Sequence, residues 1–205
     1  MEYSGHGELF SEPLYKDVDQ AVDDLCNRII KDQPHEYILW GHSFGTLISL
    51  LIAEKLDNSY STKPKAVVLS GLGPPHLYYK YKKLSELEKG DFMQHIYEMG
   101  QTDDEIMKCP ELYEIIYGVI HHDIKLKDDY TYDPSTHKKL NVPICALAGS
   151  DDNEVYPEDM KQWQIYTESR FYYQLFQGNH FFPFKCAEYK PYFRSIIKKA
   201  MFNML

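Results

Sequence analysis

The sequence predicts an α/β fold, a mostly parallel sheet flanked by helices. Two observations carry this: apolar runs of strand length alternate with longer stretches of helical spacing, and the runs end at glycines, prolines or acids. Such alternation argues for a parallel sheet with helices on both faces. Asp17 to Lys31 comes first, with Val18, Val22, Leu25, Ile29 and Ile30 at helical spacing. Pro34 ends it, and Tyr37 to Trp40 follows as a buried strand. Thr46 to Leu56 is a strongly apolar helix, and Lys65 to Ser70 (KAVVLS) is the second strand, closed by GLGPP. Pro143 to Ala148 (PICALA) is the third strand, Met160 to Thr167 a helix, Phe171 to Phe176 the fourth strand, and Glu188 to Phe202 the closing helix.

The alternation breaks once, at about 74–141, where no strand is predicted. Short helical patterns recur there around Lys83 to Lys89, Asp91 to Met99, Asp103 to Lys108 and Glu111 to Ile120. A long insertion of this kind is expected to be a helical lid over a site. With 205 residues the chain is long enough for one domain, 1–205, with its own core.

Composition excludes several functions. The net charge of -9 argues against a broad nucleic-acid footprint. It also means that an acidic protein partner needs a local basic patch or apolar contacts to dock. The start MEYSGHGELF has neither a basic opening nor an apolar core, so no signal peptide is expected. The longest aliphatic run, Leu47 to Ala53, is far shorter than the roughly 20 residues of a membrane helix. Cys26, Cys109, Cys145 and Cys186 are scattered without a CxxC pair. That argues against zinc and a disulfide framework and fits a reducing cytoplasm.

Between the first strand and its helix, Gly41, Ser43 and Gly45 spell G-x-S-x-G. A strand that turns sharply into a helix lifts the serine hydroxyl above the sheet, and small residues two before and two after it remove the clash. The backbone N–H of Phe44, at the helix N-terminus, can then stabilise a developing oxyanion. A serine used in this way needs a base and an acid, which follow it in the order Ser, Asp or Glu, His. GSDDNEV follows the third strand and QGNHFFPF the fourth, so each falls where open α/β sheets bind ligands. His180 is the candidate base, and Asp152 or Asp151 the candidate acid that holds its tautomer. His42, beside the serine, reads as structural. His121 and His122 are adjacent and point apart on a helix, which disfavours a metal. Lys80, Lys82 and Lys83 (KYKK) read as a solvated face, with docking of an acidic partner as the sharper alternative.

With these residues in place, the chain resembles the type II thioesterases, stand-alone α/β-hydrolases that accompany nonribosomal peptide and polyketide synthases. The resemblance spans nearly the whole chain. It includes SGHGELFSEPLYKDVDQAVDDL, GHSFG, SGLGPPH, the insertion stretch MGQTDDEIMKCPELYEIIYGVIHHDIKLKDDYTY, then AGSDD, PEDMKQW and GNHFF. The family's spacing of glycine, two residues, aspartate places the acid at Asp152, counted from Gly149, with Asp151 in reserve.

The resemblance implies a Ser43, Asp152, His180 triad with the Phe44 N–H as oxyanion donor. It implies a monomer that removes aberrant or stalled acyl groups from the phosphopantetheine arm of an acyl or peptidyl carrier protein. No metal or redox cofactor is implied, because the pantetheine belongs to the substrate. One departure stands out. The family begins with further strands and a P-x-A-G-G loop that supplies a second oxyanion donor, whereas this chain starts at Met1-Glu2-Tyr3, so those first strands are expected to be missing. The rival readings are a small-ester carboxylesterase with the same triad and a truncated, inactive carrier-binding remnant.

Overall fold

The computed structural model describes residues 1–59, 63–100 and 102–205. Gln101, within the MGQTDDE stretch, lies outside the described residues. Four parallel strands form one sheet in the order β1-β2-β3-β4: β1 (Leu39–His42), β2 (Val67–Ser70), β3 (Ile144–Gly149) and β4 (Phe171–Phe176). Trp40, Val68, Cys145 and Tyr172 align in register, as do Gly41, Leu69, Ala146 and Tyr173. Alternate side chains point to opposite faces, so each such row lies on one face.

Parallel neighbours need crossover segments, and helices supply them. Between β1 and β2 runs α2 (Phe44–Ser59), which packs on β1 and β2. The other face carries Val68, Cys145, Leu147 and Phe176, packed with Phe182, Tyr189 and Ile196 from α7 (Phe182–Lys185) and α8 (Tyr189–Met201). Phe182 is fully buried there, and truncating such an aromatic to alanine typically costs about 3–5 kcal/mol. The helix that precedes β1, α1 (Val18–Asp32), buries Val18, Val22, Leu25 and Ile29, as its spacing predicts.

The chain divides into two compact units, Val22–Tyr81 with Thr131–Leu205, and Met1–Ala21 with Lys82–Tyr130. The first unit holds the sheet. The second is helical, with α3 (Lys89–Met99), α4 (Asp104–Lys108) and α5 (Pro110–Asp129). Its small core is Leu84, Phe92, Met93 and Ile96, and Phe92 meets Tyr117 and His121 edge to face. Near the start of the chain, His6 Nε2 lies 3.0 Å from Asp123 Oδ2.

The helix expected over Glu111 to Ile120 continues to Asp129, and three further departures from expectation have local reasons. β1 extends to His42 because Gly41 and His42 still find ladder partners in Leu69 and Ser70. Met160 to Thr167 is not one helix. It divides into α6 (Pro157–Met160) and a 3-10 segment, Lys161–Tyr166, whose Trp163 Nε1 donates to the Leu72 carbonyl at 2.9 Å. The Lys83 to Lys89 pattern yields only a 3-10 turn, Leu84–Glu86, where both the amide and the hydroxyl of Ser85 donate to Asp128. No helix of the described residues is long and apolar enough to cross a membrane.

Candidate active site

Ser43 sits between the end of β1 and the start of α2 with φ 53°. A left-handed backbone is uncommon outside glycine and costs on the order of 1–3 kcal/mol, so the surrounding structure must hold it. Two hydrogen bonds do so. The Ser43 amide donates to the Ser70 carbonyl at 2.8 Å, and the Thr46 amide donates to the Ser43 carbonyl at 2.8 Å. The turn is tight enough that a Cβ on Gly41 would lie 2.0 Å from the Gly45 carbonyl oxygen. Glycine at 41 is therefore a steric requirement. Phe44 opens α2 directly after Ser43, so its amide belongs to the first turn, where the helix dipole favours negative charge.

Asp152 and His180 come together at the ends of the two neighbouring strands. His180 Nδ1 donates to Asp152 Oδ2 at 3.0 Å, and the two side chains are 5% and 2% exposed. The other oxygen, Oδ1, accepts the amides of Glu154 at 2.9 Å and Val155 at 3.3 Å, so the carboxylate is held at both ends. Because Nδ1 carries the proton, Nε2 is left with the lone pair that a general base requires. The approach of the two loops depends on Gly149. A Cβ there would lie 2.6 Å from the Gly178 carbonyl oxygen and 2.7 Å from that of Asn179. The Asp151 amide closes the seam by donating to the Gly178 carbonyl at 2.9 Å.

Ser43 is half-buried at the end of β1, with β2 between it and β3, and no hydrogen bond joins its hydroxyl to His180 among the described residues. The alternative acid, Asp151, is exposed and accepts the Ser150 hydroxyl at 3.1 Å. His121 Nε2 meets the Ser85 carbonyl and His122 Nε2 the Tyr15 carbonyl, so the adjacent rings serve separate partners. Lys80 is committed to Asp159 at 2.9 Å, which also accepts the Tyr81 hydroxyl at 3.0 Å, while Lys82 and Lys83 are exposed.

A helix-opening serine beside a buried Asp–His pair suits covalent acyl transfer. The sequence matches a family model described as Thioesterase domain over residues 1–200. The chain belongs to the thioesterase family. It is 25% identical over 204 residues to the medium-chain S-acyl fatty acid synthase thioesterase of Rattus norvegicus, spanning 98% of this chain and 76% of that one. It is 24% identical over 187 residues to thioesterase PikA5 of Streptomyces venezuelae, spanning 89% of this chain and 64% of that one. Among solved structures it shares the fold of YbtT, a type II thioesterase from a yersiniabactin NRPS/PKS biosynthetic pathway. That match has a TM-score of 0.85 and 22% identity, covering 96% of this chain and 78% of that one. The α/β-hydrolase architecture of this thioesterase-family chain is thereby shown.

Two further residues, Ser70 and His42, lie between the Ser43 turn and the His180 ring. From sequence Ser70 reads as the last residue of a strand and His42 as structural. The available signal was position: Ser70 ends the strand beside the G-x-S-x-G strand and precedes a glycine, where ligands of open sheets bind.

Proposed function

We propose that this chain is a serine thioesterase that hydrolyses aberrant or stalled acyl groups from the phosphopantetheine arm of a carrier protein serving a peptide or polyketide synthase. The observation that carries this reading is the buried His180–Asp152 pair, whose imidazole lies 5.0 Å, centroid to centroid, from the ring of His42, the residue before Ser43. Family membership and the NRPS/PKS pathway named for the structurally similar YbtT support the substrate class.

In this mechanism His180 Nε2 removes the Ser43 proton as Oγ attacks the thioester carbonyl. The oxyanion forms against the Phe44 N–H. Collapse breaks the C–S bond, and His180 returns the proton to the leaving thiol. A water molecule, deprotonated by the same nitrogen, then attacks the acyl-serine and releases the carboxylic acid. Asp152 keeps Nδ1 protonated and stabilises the imidazolium. The missing Ser43–His180 bond fits this scheme, since such bonds often tighten only with substrate bound. The chemistry draws on no metal or redox cofactor. The four free cysteines suit a cytoplasmic setting, and the working unit is a monomer with one carrier protein.

The test is acyl-enzyme trapping. Brief exposure to acetyl-pantetheine followed by acid quench and peptide mass spectrometry should place an acetyl group on Ser43 alone. Turnover of a simple oxygen ester with no labelling from the thioester would favour the carboxylesterase reading instead.

A further inference from the structure

Ser70 and His42 lie outside the proposed triad, yet they join its two halves. The Ser70 carbonyl accepts the Ser43 amide at 2.8 Å and the Thr46 hydroxyl at 2.8 Å. The fully buried Ser70 hydroxyl reaches the Gly41 carbonyl at 3.1 Å and His42 Nδ1 at 3.0 Å. From there the His42 ring extends to within 5.0 Å of the His180 ring, centroid to centroid. Phe182 and Phe184 meet it edge to face. Gly71 fits between the two histidines. A Cβ on it would lie 2.6 Å from His42 Cε1 and 3.2 Å from His180 Cε1.

The contacts around Ser70 and the unpartnered Nε2 together favour one tautomer of His42. Thr46 has one hydroxyl proton, and its shorter contact is to Ser70 O. With the single Ser70 proton on the Gly41 carbonyl at 3.1 Å, the Ser70 oxygen accepts from His42 Nδ1–H at 3.0 Å. His42 Nε2 is buried with no hydrogen-bond partner among the described residues. The other tautomer would place an unpaired N–H there, and orphaned buried N–H groups are the rarer kind.

Resting on the triad reading, we propose that Ser70 and His42 form a positioning pair that couples the Ser43 turn to His180. Ser70 fixes the tautomer and tilt of His42, and the neutral His42 ring is the wall against which His180 keeps its orientation. Neutrality matters, because a charged ring at this distance would oppose protonation of His180 during turnover. Burial, then the neighbouring His180, pushes the His42 pKa down to about 3, so the ring stays uncharged at working pH.

The test uses steady-state hydrolysis of acetyl-pantetheine by wild type, Ser43→Ala, Ser70→Ala, His42→Phe, His42→Asn and the Ser70→Ala/His42→Phe double variant. Displacements of about 1 Å can cost up to about a hundredfold in rate, so kcat should fall about tenfold or more in Ser70→Ala and in His42→Phe with KM held within about twofold. The double variant should be no slower than the worse single, because the two act as one unit. His42→Asn, which restores a donor near Nδ1, should recover part of the loss. Folded single variants with kcat near wild type, or losses that multiply, would overturn the proposal. If Ser43→Ala and wild type hydrolyse equally, the triad reading itself fails. Histidine ¹⁵N NMR of the wild-type protein at neutral pH then decides the pair independently: His42 protonated on Nδ1 is expected, and protonation on Nε2 overturns it.

Discussion

His180 and Asp152 are 28 residues apart in sequence and 3.0 Å apart in space, with Nδ1–H aimed at a carboxylate that two backbone amides hold in place. The carboxylate does no bond making in the proposed mechanism. Its work is to select the tautomer and to stabilise the imidazolium. Asp152→Asn should therefore leave the fold intact and lower kcat on the order of 10⁴-fold, the size of this effect in a well-studied serine protease. Asp151→Asn should stay within about threefold, because that side chain is exposed and turned to Ser150. Steady-state kinetics on one thioester distinguishes the two.

Gly149→Ala should injure both stability and turnover. Its Cβ would meet two backbone oxygens, those of Gly178 and Asn179, which cannot swing aside as a flexible side chain does. Overpacking of this kind costs about 1–3 kcal/mol, which corresponds to a fall in Tm of roughly 2–12 °C for a chain of this size. Calorimetry checks the first effect. Activity of the folded fraction checks the second, and it should drop further than unfolding explains, because the loop that moves carries His180.

The helical unit has its own pH response. The bond to Asp123 raises the pKa of His6 above its ordinary value of 6.5, against an opposing burial effect. A base with a raised folded pKa adds stability below the unfolded pKa and loses it as pH rises through the folded value. The Tm gap between wild type and His6→Gln should thus be larger at pH 6 than at pH 9. An equal gap at both pH values would remove the charged contact from the account.

His42 should act in the opposite sense. Its pKa is depressed to about 3 by burial and then by His180, so the unfolded chain takes up a proton first. The stability it contributes is present above pH 6.5 and is lost as pH falls towards 3. Between pH 7 and pH 4 the wild type should lose more of its Tm than His42→Phe does.

Much of this architecture was legible from sequence because strand and helix periods differ. KAVVLS, PICALA and FYYQLF are too short and too uniformly apolar to be surface helices, and each became a parallel strand. GHSFG was legible because its glycines answer a steric need that only a strand-to-helix turn creates. The choice between Asp151 and Asp152 was not open to residue chemistry alone. It depends on which carboxylate the Glu154 and Val155 amides hold facing inward. The Ser70–His42 contact was equally invisible, since a bond across 28 residues follows from strand order rather than local pattern. Met160 to Thr167 misled for a related reason: anchoring of Trp163 to Leu72 accompanies a 3-10 segment where the spacing suggested a regular helix.

The central claim is that Ser43, with His180 and Asp152, releases acyl groups from a carrier-bound pantetheine thioester. Its most direct test is incubation with an acetyl-phosphopantetheinyl carrier protein, followed by the intact mass of the carrier, with Ser43→Ala in parallel. Loss of the acetyl mass is expected with wild type, and its retention with Ser43→Ala. Retention with folded wild-type protein, or loss at equal rates with both, would contradict it.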